Sequence, residues 1–504
     1  MMNRLPDFPL VDEAYSSESF QRQSQSWAKV LHQHLEAVMQ GQSQALNWQD
    51  PREGVALAEA TLTESADHKS IAERFQSLMS TMLDHTQNLH HPGYVGHQVP
   101  ASMPAAGLFD AVGSITNQPM AIYEMGPWAT AVEHGLLRKL AQLVGWDPDT
   151  SSGLLTHGGS LANLTALLTA RNIAFPKSWQ DGCPSNAVIV AHAESHYCVS
   201  RSAGILGMGT RQVRSVPLDE NRRMDPVALQ AVLEQCAANS EKVIAVVAVA
   251  CATPIGAFDR LPAIADVCER FKVWMHVDAA HGGGVLMSDT HRHLAEGIDR
   301  ADSVVWDAHK MLFVPALCAA VLYRESNHQF AAFQQNAPYL FNSDDSNLAA
   351  YDSGIRTVEC TKRSCGFGLW GAWSLYGREV FEQIIDKVFA LAAIVSDELD
   401  SADDFERPFH RDANIIVYRH LPDAVQSMAV EDQNRFQFQL RERLVKSGEF
   451  YIVQTVIDDV AYLRMVVMNP MTTVEGLTGL LDTLRKLGQQ LLHSPEFQLS
   501  ASES

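Results

Sequence analysis

Five short apolar runs constrain this chain more than any other feature: NAVIVA from Asn186, KVIAVVAVA from Lys242, FKVWMHV from Phe271, DSVVW from Asp302 and LCAAVLY from Leu317. They are continuous rather than alternating, which suits strands buried on both faces of a largely parallel sheet. Helical or turn-rich segments separate them, so the middle of the chain reads as α/β. The longest strongly apolar stretch, VIAVVAVACATPIGAF from Val243, is broken by Pro254 and is too short to cross a bilayer, so a buried strand fits it.

The flanks read differently. SESFQRQSQSWAKVLHQHLEAVMQ and IAERFQSLMSTMLDHTQNL carry apolar residues at spacings of three and four and predict a helical arm over residues 1–90 that packs on something else. ATAVEHGLLRKLAQLVGW, from Ala129, is a helix leading into a large α/β domain spanning 91–375. Beyond it, the helical GREVFEQIIDKVFALAAIVSDELDSA and the strand-like NIIVYRH and AYLRMVVM predict a small α+β domain over 376–490, with a frayed polar tail at 491–504.

Composition excludes some classes. At 504 residues the chain exceeds one small core, and its 46% hydrophobic and 19% charged residues are those of an ordinary globular protein. A formal net charge of -21 argues against a nucleic-acid partner. The eight cysteines include no C-x-x-C pair, so no metal site and no disulfide framework is expected. MMNRLPDFPLVDEAYSS lacks a basic start followed by an apolar run, and a cytoplasmic protein with no membrane partner is the expectation.

Chemistry is sought where the strands end, because ligands of open α/β sheets bind beyond the carboxyl ends of their strands. LLTHGGSLANLTALLTARN places Gly158, Gly159 and Ser160 before a helix; this is either an ordinary helix start or an anion cradle of backbone N–H groups. FKVWMHVDAAHGGG closes a strand with Asp278, either a turn cap or a partner for a protonated ring nitrogen, with Ala279 and Ala280 leaving room for a flat ring. HAESHYCVSRSAGILGMG puts His192 and His196 after another strand, where a histidine can stack on an aromatic face. SVVWDAHKMLF ends a strand in Lys310, which either snorkels or serves as a Schiff-base nucleophile of lowered pKa in a dry pocket. A phosphate cradle, a stacking histidine, a ring-nitrogen carboxylate and a desolvated lysine are together what pyridoxal 5′-phosphate requires.

From about His90 to Thr473 the chain resembles the group II pyridoxal-phosphate-dependent amino acid decarboxylases, the family of glutamate, aromatic amino acid and 2,4-diaminobutyrate decarboxylases. The resemblance implies the aspartate aminotransferase-like, type I fold, with a mostly parallel central sheet. It implies Lys310 in DAHK as the cofactor lysine with His309 beside it, Asp278 in HVDAA as the ring-nitrogen partner and His196 in SHYCV as the stacking residue. Gly159 and Ser160 in GGSLAN are then phosphate contacts, with Thr253 in CATPIGAFD and Ala280 beside the cofactor. NAPYLFNSDD is similar to the family's catalytic loop, which makes Tyr339 the proton donor, and YDSGIRT, with Gly354, resembles the segment that reaches a partner's site in a homodimer with shared active sites. YLRMVVMNPMTT resembles the motif whose arginine, here Arg464, lies near the substrate carboxylate.

Two positions depart from the common pattern: Leu161 stands where a glutamate is frequent, and Asp307 where an asparagine is common. An aspartate close to a phosphate is repelled unless it points away or is solvated. LHHPGYVGHQVP and TNQPMAIYEMGP are expected to border the pocket, and the paired histidines with His97 resemble the diaminobutyrate branch. L-2,4-diaminobutyrate is therefore the expected substrate, with L-glutamate, L-aspartate, lysine and aromatic amino acids as alternatives. An aminotransferase and a non-catalytic regulatory homologue are the rival readings.

Overall fold

The computed structural model describes residues 7–62, 70–333, 351–495 and 497. Its centre is a seven-stranded sheet of β1 (Ser152–Thr156), β2 (Ala187–His192), β3 (Val213–Val216), β4 (Lys242–Val249), β5 (Met275–Asp278), β6 (Ser303–Asp307) and β7 (Ala319–Tyr323), in the spatial order β1-β7-β6-β5-β4-β2-β3. Only β7 runs against its neighbours, β1 and β6; every other pairing is parallel. The carboxyl ends of β1, β2, β4, β5 and β6 therefore emerge along one edge.

The five apolar runs supply β2, β4, β5, β6 and β7. Continuous apolarity follows from burial on two sides: along β2, Val188 and Val190 belong to one core while Ile189 and Ala191 belong to another. Along β4, Val246 and Ala248 face the first core, and Ala245 and Val247 the second. Helix Gly159–Ala174 brings Leu167, Leu168 and Ala170 to the second core, while Leu261–Phe271 and Pro226–Ala238 bring Leu261, Ile264, Leu229 and Leu233 to the first.

The C-terminal part carries a second, smaller sheet. Its antiparallel sheet orders β8 (Phe405–Glu406), β9 (Ile415–His420), β11 (Val460–Val466) and β10 (Val453–Ile457) under helices Glu379–Asp400, Val430–Ser447 and Val474–Leu492. Chain from before the large sheet joins it: Val95 N–H donates to Tyr451 O, Val466 N–H donates to Val95 O, and the Tyr94 and Tyr451 rings stack at 5.2 Å. Before residue 90 the described residues form helices Pro9–Ala14, Ser17–Met39, Pro51–Thr61 and Ile71–Asp84. They leave Phe8, Leu10, Tyr15, Phe20 and Met82 exposed. No helix among the described residues is long and apolar enough to cross a membrane.

Candidate active site

At the shared carboxyl edge of the strands lies a cavity of about 300 Å³. Each wall begins as a strand end. After β1 the chain turns through Gly158, whose φ of +108° is costly for any residue with a side chain, and enters helix Gly159–Ala174. Gly159 has no room for a Cβ, which would sit 2.6 Å from Asp307 Oδ2 and 2.8 Å from Oδ1. Beneath the turn, Asn163 Nδ2 donates to Gly159 O at 2.9 Å and Asn163 Oδ1 accepts from His276 Nε2 at 2.8 Å, while His276 Nδ1 meets Ser303 Oγ. The turn is thus tied to β5 and β6, and its first-turn N–H groups and Ser160 border the cavity as an anion site would require.

After β2, His196 enters the wall half-buried, its Nδ1 accepting from Cys198 N–H. Burial lowers its pKa, and the lysine of the site opposes the raising effect of Asp278. A neutral ring results, suited to stacking on another flat ring. After β4, Cys251 adopts φ +74°, and Thr253 reaches the cavity just beyond this bend. Backbone held in this region is strained and is kept only where the surroundings fix it.

β5 ends in Asp278, 6% exposed. One carboxylate oxygen accepts from Ala280 N–H at 3.1 Å, so the turn-cap reading is met, yet the same carboxylate and Ala280 also line the cavity. β6 ends in Asp307 and continues directly into the short helix Ala308–Met311 that carries His309 and Lys310. His309 Nδ1 is engaged by the Cys318 backbone. Lys310 Nζ lies 3.1 Å from Asp307 Oδ2. The lowered lysine pKa expected from the sequence is not what the geometry produces. Burial does push the ammonium down, but the Asp307 and Asp278 carboxylates outweigh it and hold the group above its ordinary value. Counter-ions win over desolvation here.

Eight expected site residues therefore converge on one cavity: Gly159, Ser160, His196, Thr253, Asp278, Ala280, His309 and Lys310. Tyr339 lies outside the described residues. Gly354 sits in the turn Ser353–Ile355, its N–H bonded to Ala121 O, away from the cavity wall. His97 is exposed, its ring 5.8 Å from that of Tyr451, and His90 bonds Ser102 O; neither lines the cavity. Arg464, on β11, is 5% exposed and also outside the wall, although its charge bears on Cys251 and His281 within it. Its Nε and Nη2 have no hydrogen-bond partner among the described residues, and burial lowers its pKa to about 10.

Sequence reasoning missed His157, His281 and Asn163 as wall residues. His157 pairs with Glu359 Oε1 at 2.6 Å, and His281 Nε2 meets Asn414 Oδ1 at 2.9 Å, linking the large sheet to the C-terminal unit. Both stand one to three residues from a motif glycine or aspartate, the signal that could have found them.

The residues fit the cofactor that the sequence implies: a helix N-terminus with a glycine that no larger residue replaces, a neutral histidine, a carboxylate and a lysine face one space. The pyridoxal-dependent decarboxylase conserved domain matches residues 51–421. Cysteine sulfinic acid decarboxylase of Rattus norvegicus is 33% identical over 469 residues, covering 90% of this chain and 94% of the relative. Among solved structures, mouse CSAD superposes with a TM-score of 0.82 at 30% identity, covering 92% of this chain and 98% of that one. Oryza sativa TDC, solved with PLP and tryptamine, gives a TM-score of 0.84 at 22% identity, covering 95% and 99%. The type I fold expected from the resemblance is borne out by these superpositions.

Proposed function

The chain belongs to the pyridoxal-dependent decarboxylase family and is an amino acid decarboxylase with pyridoxal 5′-phosphate as cofactor; from that premise we propose that it acts on a small acidic L-amino acid through Lys310, Asp278 and His196. The observation that carries the site assignment is the single cavity joining those three side chains to the Gly158–Ser160 turn. When bound, the cofactor supplies an electron-poor ring that accepts the electron pair left behind as carbon dioxide departs.

The chain's residues do the rest. The Gly159 and Ser160 end of the helix holds the phosphate, His196 packs on one face of the ring, and Asp278 keeps the ring nitrogen protonated. Lys310 holds the cofactor covalently, with Thr253, Ala280 and His309 around it. Arg464, a buried guanidinium behind the wall with two nitrogens unpartnered among the described residues, takes the substrate's carboxylate. Tyr339 delivers the proton to the former alpha carbon.

Charge supports this substrate class. Among the described residues the carboxylates of the cavity wall are Asp278 and Asp307, the first assigned to the ring and the second paired with Lys310. The second ammonium of diaminobutyrate meets no uncommitted carboxylate there, and the histidines that favoured it lie off the wall. A small acidic side chain agrees with the cysteine sulfinate activity named for the 33% identical relative. L-2,4-diaminobutyrate is the second reading, supported by the likeness of the His90–His91 segment to that branch.

A homodimer accounts for the apolar side chains left exposed, Leu108, Val112, Ile115 and Trp128 on neighbouring helices and Phe8 and Tyr15 on the arm. In it, Gly354 serves the partner's site. Carbon dioxide release from L-cysteine sulfinate, L-aspartate, L-glutamate, L-2,4-diaminobutyrate, L-lysine and aromatic amino acids tests the reading. The highest kcat/KM on an acidic amino acid is expected; a preference for diaminobutyrate overturns the substrate class, and transamination without carbon dioxide overturns the reaction.

A further inference from the structure

Of the two carboxylates in the wall, Asp307 is the one to which the reaction gives no work. It ends β6 at the N-cap position of helix Ala308–Met311, yet its side chain makes no capping hydrogen bond. At 2% exposure it is almost wholly removed from water. Oδ2 faces Lys310 Nζ at 3.1 Å and lies 3.8 Å from His309 Nε2, while Oδ1 has no hydrogen-bond partner among the described residues. Both oxygens press on Gly159, so close that a Cβ there would clash. A carboxylate is an acceptor only, and a buried one without a full set of donors is costly. This one is aimed at the helix N-terminus that receives the phosphate.

The charges around it do not balance an arriving phosphate. Lys310 is the lysine of the wall, and it already answers two carboxylates, Asp307 and Asp278. Adding a phosphate beside Gly159 sets a further anion within a few ångströms of Asp307, in a site where water screens poorly. An amide of the same shape would remove that repulsion and offer an N–H donor instead.

We propose that Asp307 is a retention-setting residue: it pairs with the Lys310 ammonium whenever the cofactor is away, and it opposes the phosphate whenever the cofactor is bound, so that this chain holds pyridoxal 5′-phosphate less tightly than its site would otherwise allow. The proposal rests on the reading of Gly159 and Ser160 as the phosphate turn. It makes cofactor supply a determinant of how much of the protein is active.

The test compares the full-length parent with Asp307→Asn, each stripped of cofactor and then titrated with pyridoxal 5′-phosphate, with inorganic phosphate as competitor, and with pyridoxal. Asp307→Asn is expected to bind pyridoxal 5′-phosphate and inorganic phosphate about tenfold or more tightly, the scale of one unit charge removed at close range, while pyridoxal changes by less than about threefold. Release of cofactor from the loaded variant into phosphate buffer slows by a similar factor. Unchanged or weaker binding of both phosphates overturns the proposal, as does an equal gain for pyridoxal. The same pair of residues made in a Lys310→Ala background keeps the test available if the single variant folds poorly: there the asparagine gains more, because Asp307 has lost its counter-ion. Should pyridoxal and pyridoxal 5′-phosphate bind the parent equally, with no competition by phosphate, it is the phosphate-turn reading that fails.

Discussion

Lys362→Met removes the ammonium that pairs with the Glu133 carboxylate. The side chain of Lys362 is 0% exposed and that of its partner Glu133 2%. Lys362 Nζ donates to Glu133 Oε2 at 2.6 Å, to Oε1 at 2.8 Å and to Leu155 O at 2.6 Å, while Leu155 N–H donates to Glu133 Oε1 at 3.2 Å. Methionine fills much of the lysine's volume but leaves the carboxylate of Glu133, among the described residues, with one backbone donor and the buried Arg356 guanidinium as its remaining electrostatic partner. Breaking a buried pair from one side costs about 3–5 kcal/mol, because the remaining charge stays desolvated. Against a total of roughly 5–15 kcal/mol, that is a large share of the fold's stability. The loss is local too: Leu155 lies in β1, just before the Gly158–Gly159 turn, so cofactor affinity should fall with stability. Urea unfolding followed by tryptophan fluorescence, at one protein concentration for all variants, reads the loss. The double variant Lys362→Met/Glu133→Leu, which removes both charges, should recover more than half of it. A single variant within about 1 kcal/mol of the parent would refute the reasoning, because a buried carboxylate that has lost its ion pair cannot be that cheap.

Asp278→Asn keeps the shape of the side chain and the cap on Ala280 N–H, so cofactor should remain bound while turnover falls on the order of 100-fold; near-parent rates would leave Asp278 a turn cap alone. Gly159→Ala drives a methyl to 2.6 Å from Asp307 Oδ2, and a pyridoxal 5′-phosphate titration should show affinity reduced about tenfold or more; parent-like binding would mean the turn yields freely. Burial lowers His281 to about 3 and His134 and His276 to about 4, so below pH 6.5 the unfolded chain takes up protons that the folded chain refuses. Stability should therefore fall as pH drops from 6.5 towards 4, by about 1.4 kcal/mol per pH unit for each histidine at most, and an unfolding free energy that stays flat between pH 7 and 4.5 would contradict it.

The sheet was legible because β2, β4, β5, β6 and β7 are buried on both faces and announce it in unbroken apolar runs. β3 was not, since Val213–Val216 is an edge strand, mostly part-exposed, with Arg214 and Ser215 in the middle. β1 hid behind Ser152 and Gly153, whose strand state is fixed by pairing with β7 rather than by their own preference. Lys310, Asp278 and His196 were legible because each is written next to an apolar strand end, and the glycine turn because two glycines and a serine open a helix. Residues that act through long-range contact left no such mark. Nothing near Asp307 announces Gly159, 148 positions away, and nothing near Glu133 announces Lys362. The sign of the Lys310 shift was equally out of reach, because it depends on two carboxylates brought up by β5 and β6.

Everything proposed for the site turns on Lys310 being the residue that holds the cofactor. Borohydride reduction of the loaded protein, followed by proteolysis and peptide mass mapping, tests it directly. The visible absorbance of the bound cofactor should be bleached, and the pyridoxyl-phosphate mass should appear on the peptide carrying Lys310 alone and be absent from Lys310→Ala. A reduced cofactor mapped to any other lysine, or a Lys310→Ala variant that still releases carbon dioxide at more than a trace, would contradict it.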